Sequence, residues 1–221
     1  GTSFFATWYN CTSLTSFPLI DTSKGTNFSS TWQNCNKLTS FPLISIPLGI
    51  DLNNTWSDCT SLTSFPPIDT SNTVQLPATW RNCTSLSSFP FINTSKIGIN
   101  ANNAIDIAST WSGCTNLISF PALNLSAAQT FNETWANCVS LTSFPYIDTS
   151  SAIFMGYKPL MYTSYGAWGN CRKLVTFPAL STGKVTSFNR TWMDCVSLTA
   201  FPLIQTLSGT DFTSTWQNCY S

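Results

Sequence analysis

Apolar and polar positions alternate along this chain in a pattern that returns about every 24 residues. Residues 31–44 read TWQNCNKLTSFPLI and show it in full. All nine tryptophans occupy one column of the repeat: Trp8, Trp32, Trp56, Trp80, Trp111, Trp135, Trp168, Trp192 and Trp216. All nine cysteines follow them by three residues: Cys11, Cys35, Cys59, Cys83, Cys114, Cys138, Cys171, Cys195 and Cys219. After each of the first eight, the chain reads Cys-x-x-Leu-x-x-Phe-Pro-x-Ile/Leu. A fixed period of this length signals stacked repeats, each burying its apolar face against its neighbours.

Phe28, Trp32 and Cys35 stand at i, i+4 and i+7, which predicts one face of a short helix or 3₁₀ turn capped by Thr26 or Asn27. Cys35, Leu38 and Phe41 then lead into a parallel β-strand of about three residues, because Pro42 has no N–H to give a ladder. Asp-Thr-Ser or a near variant follows as a turn, as at Asp21, Asp69 and Asp148. The expected fold is an α/β repeat solenoid of about eight such units, forming one domain over residues 1–221. Seven extra residues fall within 96–108 and nine within 151–167. Both are expected between turn and helix, bulging from the same side, with Ser164 in the Phe28 column. The chain opens near Phe4 and stops just past Cys219 without a polar cap, so it is expected to belong to a longer chain or assembly.

Composition narrows the function. Charged residues are 8%, nine of each sign, against roughly 25% in an average domain, while Ser and Thr supply 63 of 221 positions. So few cations make no basic patch for nucleic acid. No run of 18 apolar residues predicts a membrane span. There is no His, a single Glu (Glu133) and no Cys-x-x-Cys, so neither catalysis nor a metal or cofactor site is expected.

Each column has a chemical and a structural reading. The Trp column could stack sugars, but its position at i+4 from an apolar residue favours a core ladder. The Cys column could form disulfides, ligate metal or act as nucleophiles; the odd count favours buried, reduced thiols. Asp21, Asp69 and Asp148 could hold calcium, but Ser45, Asn93 and Asn124 break the acidic row. Eight Asn-x-Ser/Thr sequons are little above chance and decide nothing. The candidate binding loop is Phe154, Met155, Tyr157, Met161, Tyr162 and Tyr165, rich in interface-type residues. Equally, that loop could fold back over a rung weakened by Ser164 and Ala167.

Residues 26–44, TNFSSTWQNCNKLTSFPLI, together with the Asp-Thr-Ser turns at Asp21, Asp69 and Asp148 of other repeats, resemble the leucine-rich repeats of the BspA-like surface protein family. Trp stands here where that family usually has Phe, and Phe-Pro-x-Ile replaces its Leu-x-Leu. The resemblance covers essentially the whole chain. It implies a leucine-rich-repeat-like fold, an extracellular place on a cell or virus particle, and an adhesive role. Three readings follow. The first is a non-enzymatic structural and adhesive repeat protein whose partners are a cell-surface protein or glycan. The second is a filament or sheath subunit that meets other copies, or flanking domains, through uncapped ends. The third is a glycan- or ice-binding surface of ordered Thr columns (Thr15, Thr39, Thr63, Thr142, Thr199).

Overall fold

A computed structural model describes residues 2–98, 106–156 and 165–220. The sequence period becomes a stack of rungs, one per repeat, joined by backbone hydrogen bonds. The predicted α/β solenoid is not what builds it. Among the described residues there is no α- or 3₁₀-helix, and β-structure is limited to isolated parallel bridges.

The helix is replaced by a chain of turns whose N–H groups alternate in direction. Those of Phe28, Ser30, Trp32 and Asn34 donate to Asp51, Asn53, Thr55 and Ser57 on the next rung at 2.8–3.0 Å. Those of Thr31, Gln33 and Cys35 close i→i−3 turns onto Phe28, Ser30 and Trp32 at 3.1–3.3 Å. Ser30 and Asn34 have φ of 54° and 63°, the left-handed values a type II turn needs at its third position. The physical reason is thickness. An α-helix is about 10 Å across, whereas rungs bonded backbone to backbone stand only about 4.8 Å apart. Ser and Thr, poor helix formers, surrender the helix at little cost.

The expected strand is equally short of partners. Thr39 N–H donates to Thr15 on the preceding rung at 3.2 Å, and Thr63 to Thr39 at 3.1 Å. Pro42 then has nothing to donate, and Ile44 N–H folds back onto Pro42 at 2.9 Å. What remains is single bridges, such as Ser143 to Thr176 and Thr176 to Ala200. A second bridge column runs from Ser3 through Asn27 and Asp51 to Gln75, and again from Thr130 through Phe154 and Ser187 to Asp211.

Inside each rung, Phe28, Trp32, Cys35, Leu38, Phe41 and Ile44 form one continuous core with their counterparts. Of the two apolar residues after Pro42, Ile44 is 2% exposed and Leu43 is 59% exposed, so Leu43 faces out. The buried Thr22 hydroxyl donates to Ser45 O on the next rung at 2.6 Å, with Thr70 and Thr94 repeating the bond.

The insertions leave the rungs at two points, not one. Gly98 donates to Val74 O, in the Thr26 column, while Asp106 O accepts from Leu76, in the Asp51 column. Residues 99–105, which follow Gly98 and precede Asp106 in sequence, are outside the described residues. In the second insertion Phe131 donates to Phe154 O and Ala167 donates to Met155 O, each at 2.8 Å. Met155 therefore takes the Phe28 position expected for Ser164, and Ala167 takes that of Thr31. Ser164 itself lies outside the described residues. The long connection follows the Phe28 column here, whereas the first insertion precedes it.

Candidate functional site

Trp32, Trp56, Trp80, Trp111, Trp135, Trp168 and Trp192 are fully buried, Trp8 is half-buried and Trp216 is 41% exposed. Successive indoles lie 5.2–6.1 Å apart and within 4–9° of parallel. Phenylalanines meet them at steep angles, as Phe41 meets Trp32 at 4.8 Å and 74°. The seven buried indole N–H groups have no nitrogen or oxygen acceptor. Ring faces buried this way have no room for a sugar.

The Cys column is bonded from its second member on. All nine thiols are free, Cys11 and Cys219 being only partly buried. From Cys35 onward each Sγ donates to the Trp carbonyl of the preceding rung at 3.1–3.3 Å. Donation requires the protonated thiol, and burial keeps it so. It pushes Cys35 to about 11 and Cys114 and Cys195 to about 12, with Cys59, Cys83, Cys138 and Cys171 also raised. A nucleophilic or metal-binding sulfur needs the opposite shift.

Asp21 Oδ1 accepts from the Ser23 hydroxyl at 2.6 Å and the Ser23 N–H at 3.0 Å, and those bonds lower its pKa. Asp69 and Asp148 accept likewise from the N–H groups of Ser71 and Ser150 at 2.9 Å. These carboxylates serve as turn acceptors.

The candidate loop is divided. Met155 is fully buried in the core, and Phe154 is half-buried in the bridge column. The Tyr165 hydroxyl donates to Asp194 Oδ2 at 3.2 Å, and its N–H to Glu133 Oε1 at 3.4 Å. Burial, and then the adjacent Asp194 carboxylate, raise the Tyr165 pKa. Tyr157, Met161 and Tyr162 lie outside the described residues. The Thr39 column is exposed with its hydroxyls tied to the preceding carbonyl, but Ile118 and Val175 interrupt it.

Two arrangements escaped the sequence reading. Asn, Asp or Gly precedes every Cys, and all nine residues have positive φ, from Asn10 to Asn218. Their side chains form an amide ladder, with Asn34 Nδ2 on Asn10 Oδ1 at 2.6 Å and Asn82 Nδ2 on Asp58 Oδ1 at 2.8 Å. The other is Asp106, fully buried beside the first insertion. Its carboxylate accepts from Gln129 N–H at 2.6 Å and Thr130 N–H at 3.2 Å. Elsewhere a residue in the Gln129 column donates to a backbone carbonyl of the preceding rung, as Val74 does to Ile50. The side chain of Asp106 stands in for that carbonyl where the chain detours.

No family model matches this chain, and no curated protein matches it. Among solved structures it is similar to a leucine-rich repeat protein from Bacteroides ovatus ATCC 8483, at 14% identity and a TM-score of 0.35, over 97% of this chain and 67% of that one. By its own rungs and columns, the chain is a repeat protein.

Proposed function

We propose that this chain is a non-enzymatic structural and adhesive repeat protein displayed outside a cell or on a virus particle, where it contacts a surface protein or glycan. The observation that carries the reading is how the reactive groups are used. From Cys35 to Cys219 the thiols bond to the backbone, and Asp21, Asp69, Asp106 and Asp148 accept structural hydrogen bonds. One surface depression, about 390 Å³ and lined by Ser87, Asn116, Ile118, Ser140, Thr142 and Lys173, contains no carboxylate or thiol, while another, about 500 Å³ at the first rung, is lined by Cys11 with Asn10, Thr12, Ser13 and Leu14. The chemistry of the chain goes into a rod, and the two insertions give that rod individual features. The test is binding of the labelled chain to cells and immobilised glycans. It is compared with a variant in which residues 156–166 are replaced by the Ser29-Ser30 connection of a standard rung. Binding lost with an unchanged melting temperature supports the reading. Equal binding by both chains removes the second insertion from it, and no binding to any surface refutes the adhesive role.

A further inference from the structure

The position after the core-edge proline is exposed in every complete repeat and is never polar. Leu19 is 72% exposed, Leu43 59%, Phe91 64%, Tyr146 60% and Leu203 94%, with Pro67, Ala122 and Ala179 exposed at the remaining rungs. The half-buried proline column runs alongside it for nearly its whole length. The two columns make one uncharged apolar band along the stack, in a chain whose exposed columns on either side are mostly Ser, Thr, Asn and Asp. Contiguous apolar bands larger than a few hundred Å² on a protein surface mark interaction sites.

We propose that this band is the interface for a second copy of the chain, packed side by side and antiparallel about a two-fold axis. Size decides the partner. Large and small residues interchange along the band so that its two halves are complementary. Numbering the rungs from one to eight, an antiparallel copy sets rung k against rung 9 − k. Phe91 then meets Ala122, Pro67 meets Tyr146, and Leu43 meets Ala179, each twice, with Leu19 against Leu203 at the edges. A two-fold interface demands this reciprocity, in which i meets j and j meets i. A parallel pairing would set Phe91 on Phe91 and leave a gap at Ala122. A flat or crystalline partner would meet the large residues and miss the small ones.

Area agrees. At on the order of 100 Å² per large side chain, the five large residues offer roughly 500 Å². The small residues and prolines bring the band toward the roughly 800 Å² per partner of a standard interface. No charge lies in the band to oppose pairing. At its rim Asp69, exposed, comes opposite Asp148 of the second copy, half-buried, a like-charge pair that salt screens.

The test is sedimentation of the full chain across a wide concentration range. A reversible monomer–dimer equilibrium is expected, tightening as salt is raised. Phe91→Ala and Ala122→Phe should each weaken it by about tenfold or more. The double variant restores the fit with the roles exchanged and should recover most of that loss. Both positions are exposed, so melting temperatures should not change and misfolding is separable from lost pairing. A chain that stays monomeric, grows without limit past the dimer, or gains nothing from the double swap overturns the proposal.

Discussion

Trp135 offers a sharp separation between the area a side chain buries and the hydrogen bond it does not make. It is fully buried, stacked on Trp111 at 5.7 Å and Trp168 at 5.2 Å, and edged by Phe120 at 5.4 Å and Phe144 at 4.8 Å. Trp135→Ala forfeits roughly 200 Å² of apolar burial and opens a cavity between rungs, a loss of about 3–5 kcal/mol. Trp135→Phe keeps most of the stack. It loses about 1 kcal/mol of buried area, but it also removes an indole N–H with no acceptor. Relief of such a buried donor is worth about 1–3 kcal/mol. Relief of about 1–3 kcal/mol against a loss of about 1 kcal/mol leaves Phe between level with the parent chain and about 2 kcal/mol more stable. The assay is denaturant unfolding, with amide exchange at the Trp135 rung because a repeat stack need not unfold in one step. If Phe costs as much as Ala, the N–H makes an interaction that matters, and the account of the column is wrong.

Other positions carry their own expectations. Cys114→Ser keeps a second donor for the Trp80 carbonyl, whereas Cys114→Ala leaves it only the Cys83 N–H, so Ala should be less stable than Ser by about 1 kcal/mol in the same unfolding assay. Ala78 has φ of 53°, so Ala78→Gly should raise the denaturation midpoint, by about 1 kcal/mol of stability. Asp106→Asn can satisfy only one of the Gln129 and Thr130 N–H groups and should cost roughly 1–3 kcal/mol, with faster amide exchange at both. Burial raises the Asp106 pKa, so the folded chain holds this proton more tightly than the unfolded one. Its contribution is full in acid, below the unfolded carboxylate pKa, and is lost as pH rises through the folded one. The stability gap to Asp106→Asn should therefore shrink from acid toward neutral pH, and a gap that widens contradicts the assignment.

The columns were legible in the sequence because Trp and Cys occur nowhere else, so their register could not be mistaken. Local conformation was not. A spacing of four and then three residues puts Phe28, Trp32 and Cys35 on one side of a helix, and it does the same for two linked turns. The discriminating mark was present but unread: Asn34, Asp58, Asn82 and their equivalents precede Cys in every repeat, and only Asn, Asp and Gly hold positive φ readily. The companion turn was not legible, because Ser30, Ala78, Glu133 and Arg190 share positive φ without sharing a chemistry. Met155 was hidden for a different reason. Counting back four from Trp168 reaches Ser164, and only the hydrogen bond from Ala167 shows that the chain leaves the rung after Met155. Asp106 repairs a ladder broken by its own insertion, a contact no repeat-based alignment of rungs anticipates.

The alternating N–H groups of the Trp turns also give the stack an electrical direction. In the rung built on Phe28, four peptide N–H groups point toward the following rung, from Phe28, Ser30, Trp32 and Asn34. Only Thr26 and Thr39 point back, to Thr2 and Thr15. Peptide dipoles of about 3.5 D aligned this way do not cancel. Each rung adds to a net moment whose positive pole faces higher residue numbers, opposite in sense to an α-helix, where the N–H groups face the amino end. A chain with nine charges of each sign has few side chains with which to mask that moment. The backbone itself thus makes the two faces of a rung unlike, one inclined toward anions and the other toward cations.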